Sequence, residues 1–143
     1  MAEKKTKGAL ALPAIKVAAI FVTELDARRT GGECDDVRFS TTCRLEGGQS
    51  SPDEHYATAT VSVQPENCSE EQCRPYRVEV KITIVYRRES DAVTGAKMKE
   101  FAKANAQWHV WPYARELIAD ITARMGYPSF YLPFIPRPID LAE

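Results

Sequence analysis

Between residues 76 and 106 the apolar residues of this chain change their spacing from two to a helical interval, and that switch limits the folds open to it. Tyr76, Val78, Val80, Ile82, Ile84 and Tyr86 alternate with Arg77, Glu79, Lys81, Thr83, Val85 and Arg87, so Tyr76–Arg88 reads as a strand with one apolar face. From Gly95 to Ala106 the residues are rich in Ala, Lys and Met, with Met98, Phe101 and Ala102 at helical spacing. A second helix is expected from Pro112 to Met125. Proline suits a first helical turn, where its missing N–H costs little. Ala114, Leu117, Ile118, Ile121 and Met125 form its apolar stripe, Arg115, Glu116, Asp120 and Arg124 face away, and Gly126 supplies the stop.

Everything upstream of residue 90 reads as strand and turn. Ile15–Asp26 is apolar with a period near two, carrying Ile15, Val17, Ala19, Phe21 and Leu25 on one face and Ile20 and Val22 on the other, the pattern of a strand covered on both sides. Val37–Leu45 alternates cleanly, and Tyr56–Gln64 is rich in Thr and Val. Gly31-Gly32, Gly47-Gly48 and the proline-flanked acidic stretch Pro65–Pro75 mark connections, with Glu46–Glu54 as a loop. Short links between consecutive strands favour an antiparallel meander. The expected fold class is α+β: a four-stranded antiparallel sheet, a short helix and a long helix, with the helices on one face. At 143 residues the chain suits one domain, with residues 1–14 as a flexible N-terminal segment.

The segment Tyr127–Pro138 holds Tyr127, Phe130, Tyr131 and Phe134 among four prolines. Prolines at that density exclude a helix and disfavour a central strand. The segment runs extended, and its rings must cover the core, another subunit or a ligand.

The chemistry of a known active site is harder to find. A net charge of -1 gives no polycation for nucleic acid and no basic membrane anchor, and the longest apolar runs fall far short of a bilayer span. Two histidines are present: His55 falls in a loop before a strand, and His109 sits between Trp108 and Trp111 as a packed or surface residue. No phosphate loop, metalloprotease helix or nucleophile elbow occurs. Cys34, Cys43, Cys68 and Cys73 allow a secreted, disulfide-bonded domain or a cytosolic chain of free thiols. Cys68 and Cys73 have the spacing of a small disulfide loop rather than of a zinc site, and Cys43 on a strand's apolar face acts as a small hydrophobe. Acidic clusters at Glu33/Asp35/Asp36 and Glu66/Glu70/Glu71 read as solvated turns.

Four strands, a short helix, then Trp111-Pro112-Tyr113-Ala114-Arg115-Glu116 opening a long helix resemble the SecB export chaperones, whose members carry an aromatic-Pro-Tyr-Ala-Arg-Glu at that place. Gly126–Pro133 resembles the loop of prolines and apolar residues that follows in the family. The resemblance implies a cytoplasmic, non-enzymatic holdase without cofactor or membrane insertion, assembled as a dimer of dimers, that keeps unfolded preproteins in apolar grooves and passes them to the ATPase SecA or serves an antitoxin. By position it implies client contact at Val78, Val80, Ile82 and Ile84, flanked by Phe39, Thr41 and Cys43, with Phe130, Tyr131 and Phe134 on the loop side. It implies partner docking at Glu24 and Asp26, and subunit contacts at Met98, Phe101, Trp108 and Trp111. A chain of this pattern is also compatible with a small-ligand-binding α+β domain whose aromatics close an internal pocket. An enzyme would need a residue set that none of these motifs supplies.

Overall fold

The computed structural model describes residues 14–30, 37–66 and 75–133. Among these residues four strands, β1 (Ile15–Arg29), β2 (Phe39–Ser51), β3 (Glu54–Pro65) and β4 (Tyr76–Arg88), precede one helix, α1 (Gly95–Arg124). All pairings are antiparallel, in the order β1-β4-β3-β2. The α+β class and the four-stranded antiparallel sheet therefore stand, but only β2, β3 and β4 form a meander. β1 crosses over to pair with β4, in a Greek-key arrangement.

The helix-side face of the two central strands is core. On β4 it presents Val78, Val80, Ile82, Ile84 and Tyr86, and on β3 Ala57, Ala59, Val61 and Val63, all buried. The opposite face is polar. Thr58 and Thr83 share a hydrogen bond of 2.7 Å, the Ser62 hydroxyl donates to Glu79, and Arg87 pairs with Glu54 at 2.6 Å. This face is polar but partly covered, with Thr60 and Thr83 buried on it.

Two register shifts, between Val17 and Ala19 and between Val22 and Glu24, break the alternation of β1. Each inserts one residue, so Ile15, Val17, Ile20, Val22 and Leu25 all align with helix-side residues of β4, while Phe21 opposes Thr83 on the other face. The faces expected from a strict period of two are thereby corrected. So is the expected cover on both sides, because most of β1 is exposed.

β2 runs straight through Gly47-Gly48, where a loop was expected, and turns only at Pro52-Asp53. Both glycines belong to the ladder. A Cβ on Gly47 would lie 2.8 Å from the Tyr56 carbonyl oxygen, and the Tyr56 ring packs over Gly48. His55 accordingly sits within β3 and is buried, rather than in a preceding loop.

α1 is one continuous helix of 30 residues, not two. Thr94 caps its start, its Oγ1 accepting from the Lys97 N–H at 3.2 Å. Pro112 sits mid-helix on the exposed side, so the backbone carbonyl one turn earlier loses its partner where water can replace it. The fully covered residues Met98, Ala102, Ala106, Val110, Ala114, Ile118 and Thr122 recur every fourth position. Because a helix turns about 100° per residue, such a line winds about 40° further round the axis at each step. The contact stripe thus passes from the sheet to the segment after the helix.

The expected stop at Gly126 is present, with φ of +90°. The Gly126 N–H reaches the Ala123 carbonyl and the Tyr127 N–H the Thr122 carbonyl, a Schellman cap. The chain then returns along the helix, where Leu132 is buried.

Candidate functional site

Three surfaces are left incompletely covered among the described residues. The first is β1, which lies at one sheet edge, beyond the cover of α1. Val17, Phe21, Val22 and Leu25 are 42–49% exposed. Side chains of this size on a long edge strand lose solvation free energy whenever anything apolar covers them, roughly 25 cal/mol per Å² buried. The unpaired edge also offers backbone groups to another strand.

The second surface is the other edge, β2, with the segment that follows α1. Phe39, Thr41, Cys43 and Leu45 point to the helix side and are half-buried. Phe39 stacks on Tyr76 with ring centroids 4.6 Å apart and meets Phe130 edge-on at 5.6 Å. Tyr127 packs on Tyr76, and its hydroxyl donates to the Pro75 carbonyl. Burial beside Tyr127 pushes the Tyr76 phenol up to about 12, and burial pushes the Cys43 thiol up to about 11, so both stay neutral. Thr122 holds the segment in place. Its hydroxyl donates to the Ile118 carbonyl at 2.9 Å and accepts from the Phe130 N–H at 2.8 Å. A threonine inside an apolar helical stripe was the only sequence signal for this anchor.

The third surface is a cleft of about 730 Å³ on the outer side of α1, lined by Trp108, Trp111, Pro112, Ala119 and Tyr131 among others. The Trp111 indole donates to the Pro133 carbonyl at 2.8 Å, which fixes the cleft wall. Tyr131 is 64% exposed, with the Arg115 guanidinium over its ring.

The client-facing residues expected by family resemblance are therefore divided. Val78, Val80, Ile82 and Ile84 belong to the core beneath α1, and no external chain reaches them while the helix is in place. Phe39, Thr41, Cys43 and Phe130 come together at the β2 edge, Tyr131 lies apart from them in the cleft on the outer side of α1, and Phe134 lies outside the described residues. Of the expected subunit contacts, Met98 is buried within its own chain and Phe101 packs against Tyr86. Trp111 is turned toward Pro133, and Trp108 remains exposed. Glu24 and Asp26 are on β1 but already engaged, Glu24 with Lys81 and Asp26 with Arg28, each at 3.3 Å.

His109 is half-buried, and its Nδ1 lies 2.6 Å from the Tyr86 hydroxyl. Burial lowers the imidazole's proton affinity, so the neutral ring shares this hydrogen bond with Tyr86 and acts as a packing residue. No cluster of metal-ligating side chains occurs among the described residues, and no described helix is long and apolar enough to cross a membrane. Cys34, Cys68 and Cys73 lie outside the described residues, as do Glu33, Asp35, Asp36, Glu70 and Glu71.

The fold is similar to that of a SecB-like chaperone from Mycobacterium tuberculosis, solved in complex with a ChAD peptide from the HigA1 antitoxin. The match has a TM-score of 0.71 at 15% identity and covers 92% of this chain and 97% of that one, so the likeness is one of fold. A weaker match, with a TM-score of 0.40 and 11% identity, covers 84% of this chain and 97% of a Streptococcus agalactiae protein of unknown function. No family model matches the sequence, and neither does any curated protein.

Proposed function

We propose that this protein is an ATP-independent holdase that keeps unfolded polypeptide in extended form, in the manner of the SecB-like chaperones. The observation that carries the reading is the β2 edge. Among the described residues it is an unpaired strand, its apolar side chains are half-covered, and an aromatic segment flanks it. An extended client adds there as a further strand, held by backbone hydrogen bonds that any sequence can make. Phe39, Thr41 and Cys43 supply the apolar floor, and Phe130 the aromatic wall. The fold shared with a chaperone bound to an antitoxin peptide supports this choice over a closed ligand-binding domain, and an antitoxin segment is a candidate client.

Copies of the chain are proposed to meet along β1 and across the outer side of α1, where Trp108 and Tyr113 are exposed, giving a dimer of dimers. Export through SecA, with docking at Glu24 and Asp26, and a cytoplasmic location belong to the same reading. No cofactor and no catalysis are required.

The test is to dilute a chemically denatured client into nucleotide-free buffer with one protomer per client. Wild type is expected to suppress light scattering from aggregation. Thr41→Asp, half-buried on the β2 edge, is expected to keep the circular dichroism of the wild type and to lose much of that protection. Folded wild type without protection would overturn the reading.

A further inference from the structure

A second recess, of about 460 Å³, lies between the first turns of α1 and the far ends of β2 and β3. It exists because the facing positions are small. Gly47 and Ala57 form its floor, and Gly95, Ala96 and Ala102 its helical wall. The size falls within the range of small-molecule sites, roughly 300–1,000 Å³.

Its polar groups are the informative part. His55 lines the recess and is only 9% exposed, yet its ring has no hydrogen-bond partner among the described residues. Its Nε2 lies 3.8 Å from where a Cβ on Gly47 would stand, so the glycine leaves space beside that nitrogen. The ring nitrogens are not sealed from solvent, so a ligand in the recess would take the place of water at the ring. The start of α1 opens onto the same space. Its first turn carries no acidic side chain to offset the helix dipole. Thr94 satisfies the Lys97 and Met98 N–H groups, which leaves those of Gly95 and Ala96 without an acceptor among the described residues. Lys99 and Lys103, one turn apart, line the recess too, against a single carboxylate, Glu46. Burial and the neighbouring Lys99 charge both keep His55 neutral, so it can offer one N–H.

We propose that this recess binds a small organic anion, a carboxylate or phosphate monoester attached to an apolar body about one ring in size. The charged head meets the helix start, Lys99 and Lys103. The apolar body lies over Gly47 and Ala57, and the polar edge next to it meets His55. The site is separate from the β2 edge track and stands or falls independently of the holdase reading.

The chain holds only two histidines, so the His55 ring can be followed by NMR with His109 as internal reference. The full-length protein is titrated with benzoate, phenyl phosphate and the uncharged benzyl alcohol. Both anions are expected to shift the His55 resonances in a saturable way at millimolar concentration and to leave His109 in place, with benzyl alcohol about tenfold weaker or worse. If benzoate alone binds, the head group is a carboxylate, and if phenyl phosphate alone binds, it is a phosphate. Lys99→Gln/Lys103→Gln, at exposed positions, is expected to weaken anion binding about tenfold with the melting temperature unchanged. Ala96→Leu, which fills the recess without altering any charge, is expected to abolish binding. The proposal is overturned if neither anion moves His55, if His109 moves equally, if benzyl alcohol binds as well as the anions, or if both variants bind like wild type.

Discussion

β4 and β1 lie side by side in one ladder and carry a similar density of apolar side chains, yet they serve different ends. The helix-side residues of β4 are fully covered by α1, and the polar face behind them is partly exposed. β1 presents Val17, Val22 and Leu25 to the same side, beyond the reach of the helix, with Phe21 on the other. Apolar composition alone therefore does not mark the core of this protein; position relative to α1 does. The contrast teaches that the chain buries what stabilises it along two central strands and leaves the apolar side chains of its edge strands incompletely covered.

The largest effect expected from breaking this comparison lies on the covered strand. Ile82→Ala removes buried methylene groups beneath α1 and is expected to cost about 3 kcal/mol, read as a lower denaturant midpoint. Equal tolerance of this change and of Leu25→Ala would show that the two strands are equally exposed. Tyr86→Phe, which deletes the hydroxyl bonded to His109, comes next at about 1 kcal/mol by thermal melting.

Acid sharpens the same contact. The proton affinities of folded His109 and His55 lie below their ordinary value of 6.5, so the unfolded chain binds protons more readily. Stability is then complete above that value and declines as pH falls through it toward the lower folded pKa. His109→Gln is expected to flatten part of this decline in melts between neutral pH and acid.

The smallest effect on the fold is expected on the open strand. Leu25→Ser should change protomer stability by only about 0.5 kcal/mol, in keeping with an exposed site. If copies meet along β1, the same variant lowers the mass in solution by light scattering; an unchanged assembly would remove β1 from the interface.

What could be read from the residues follows from how local each decision is. The bounds of β4 were visible because its alternation runs unbroken from Tyr76 to Arg88, and the Gly126 stop because a left-handed residue is cheap only for glycine. The pairing of β1 with β4 was not visible, since it depends on which edge is vacant once the meander has formed. The bulges near Ala18 and Thr23 shift residues between faces without altering composition. Gly47-Gly48 and Pro112 carry the usual signs of a break, yet tertiary context overrides both. Tyr56 covers the glycines, and the proline sits where water can take over for its missing bond. Of the client-facing set, Phe39, Thr41, Cys43 and Phe130 meet at one edge, and Tyr131 lies in the α1 cleft. The β4 residues lie instead beneath α1, because an apolar face shows its need for cover and not the source of that cover.

The central claim is that extended clients bind at the β2 edge and its aromatic flank, not at the β4 face. Hydrogen exchange of the wild-type protein with and without an unfolded client tests it most directly. The expected result is added protection at Phe39–Leu45 and Tyr127–Pro133, with the amides of Val78–Ile84 unchanged. Protection that leaves the β2 edge untouched, or a client that alters exchange nowhere, would contradict it.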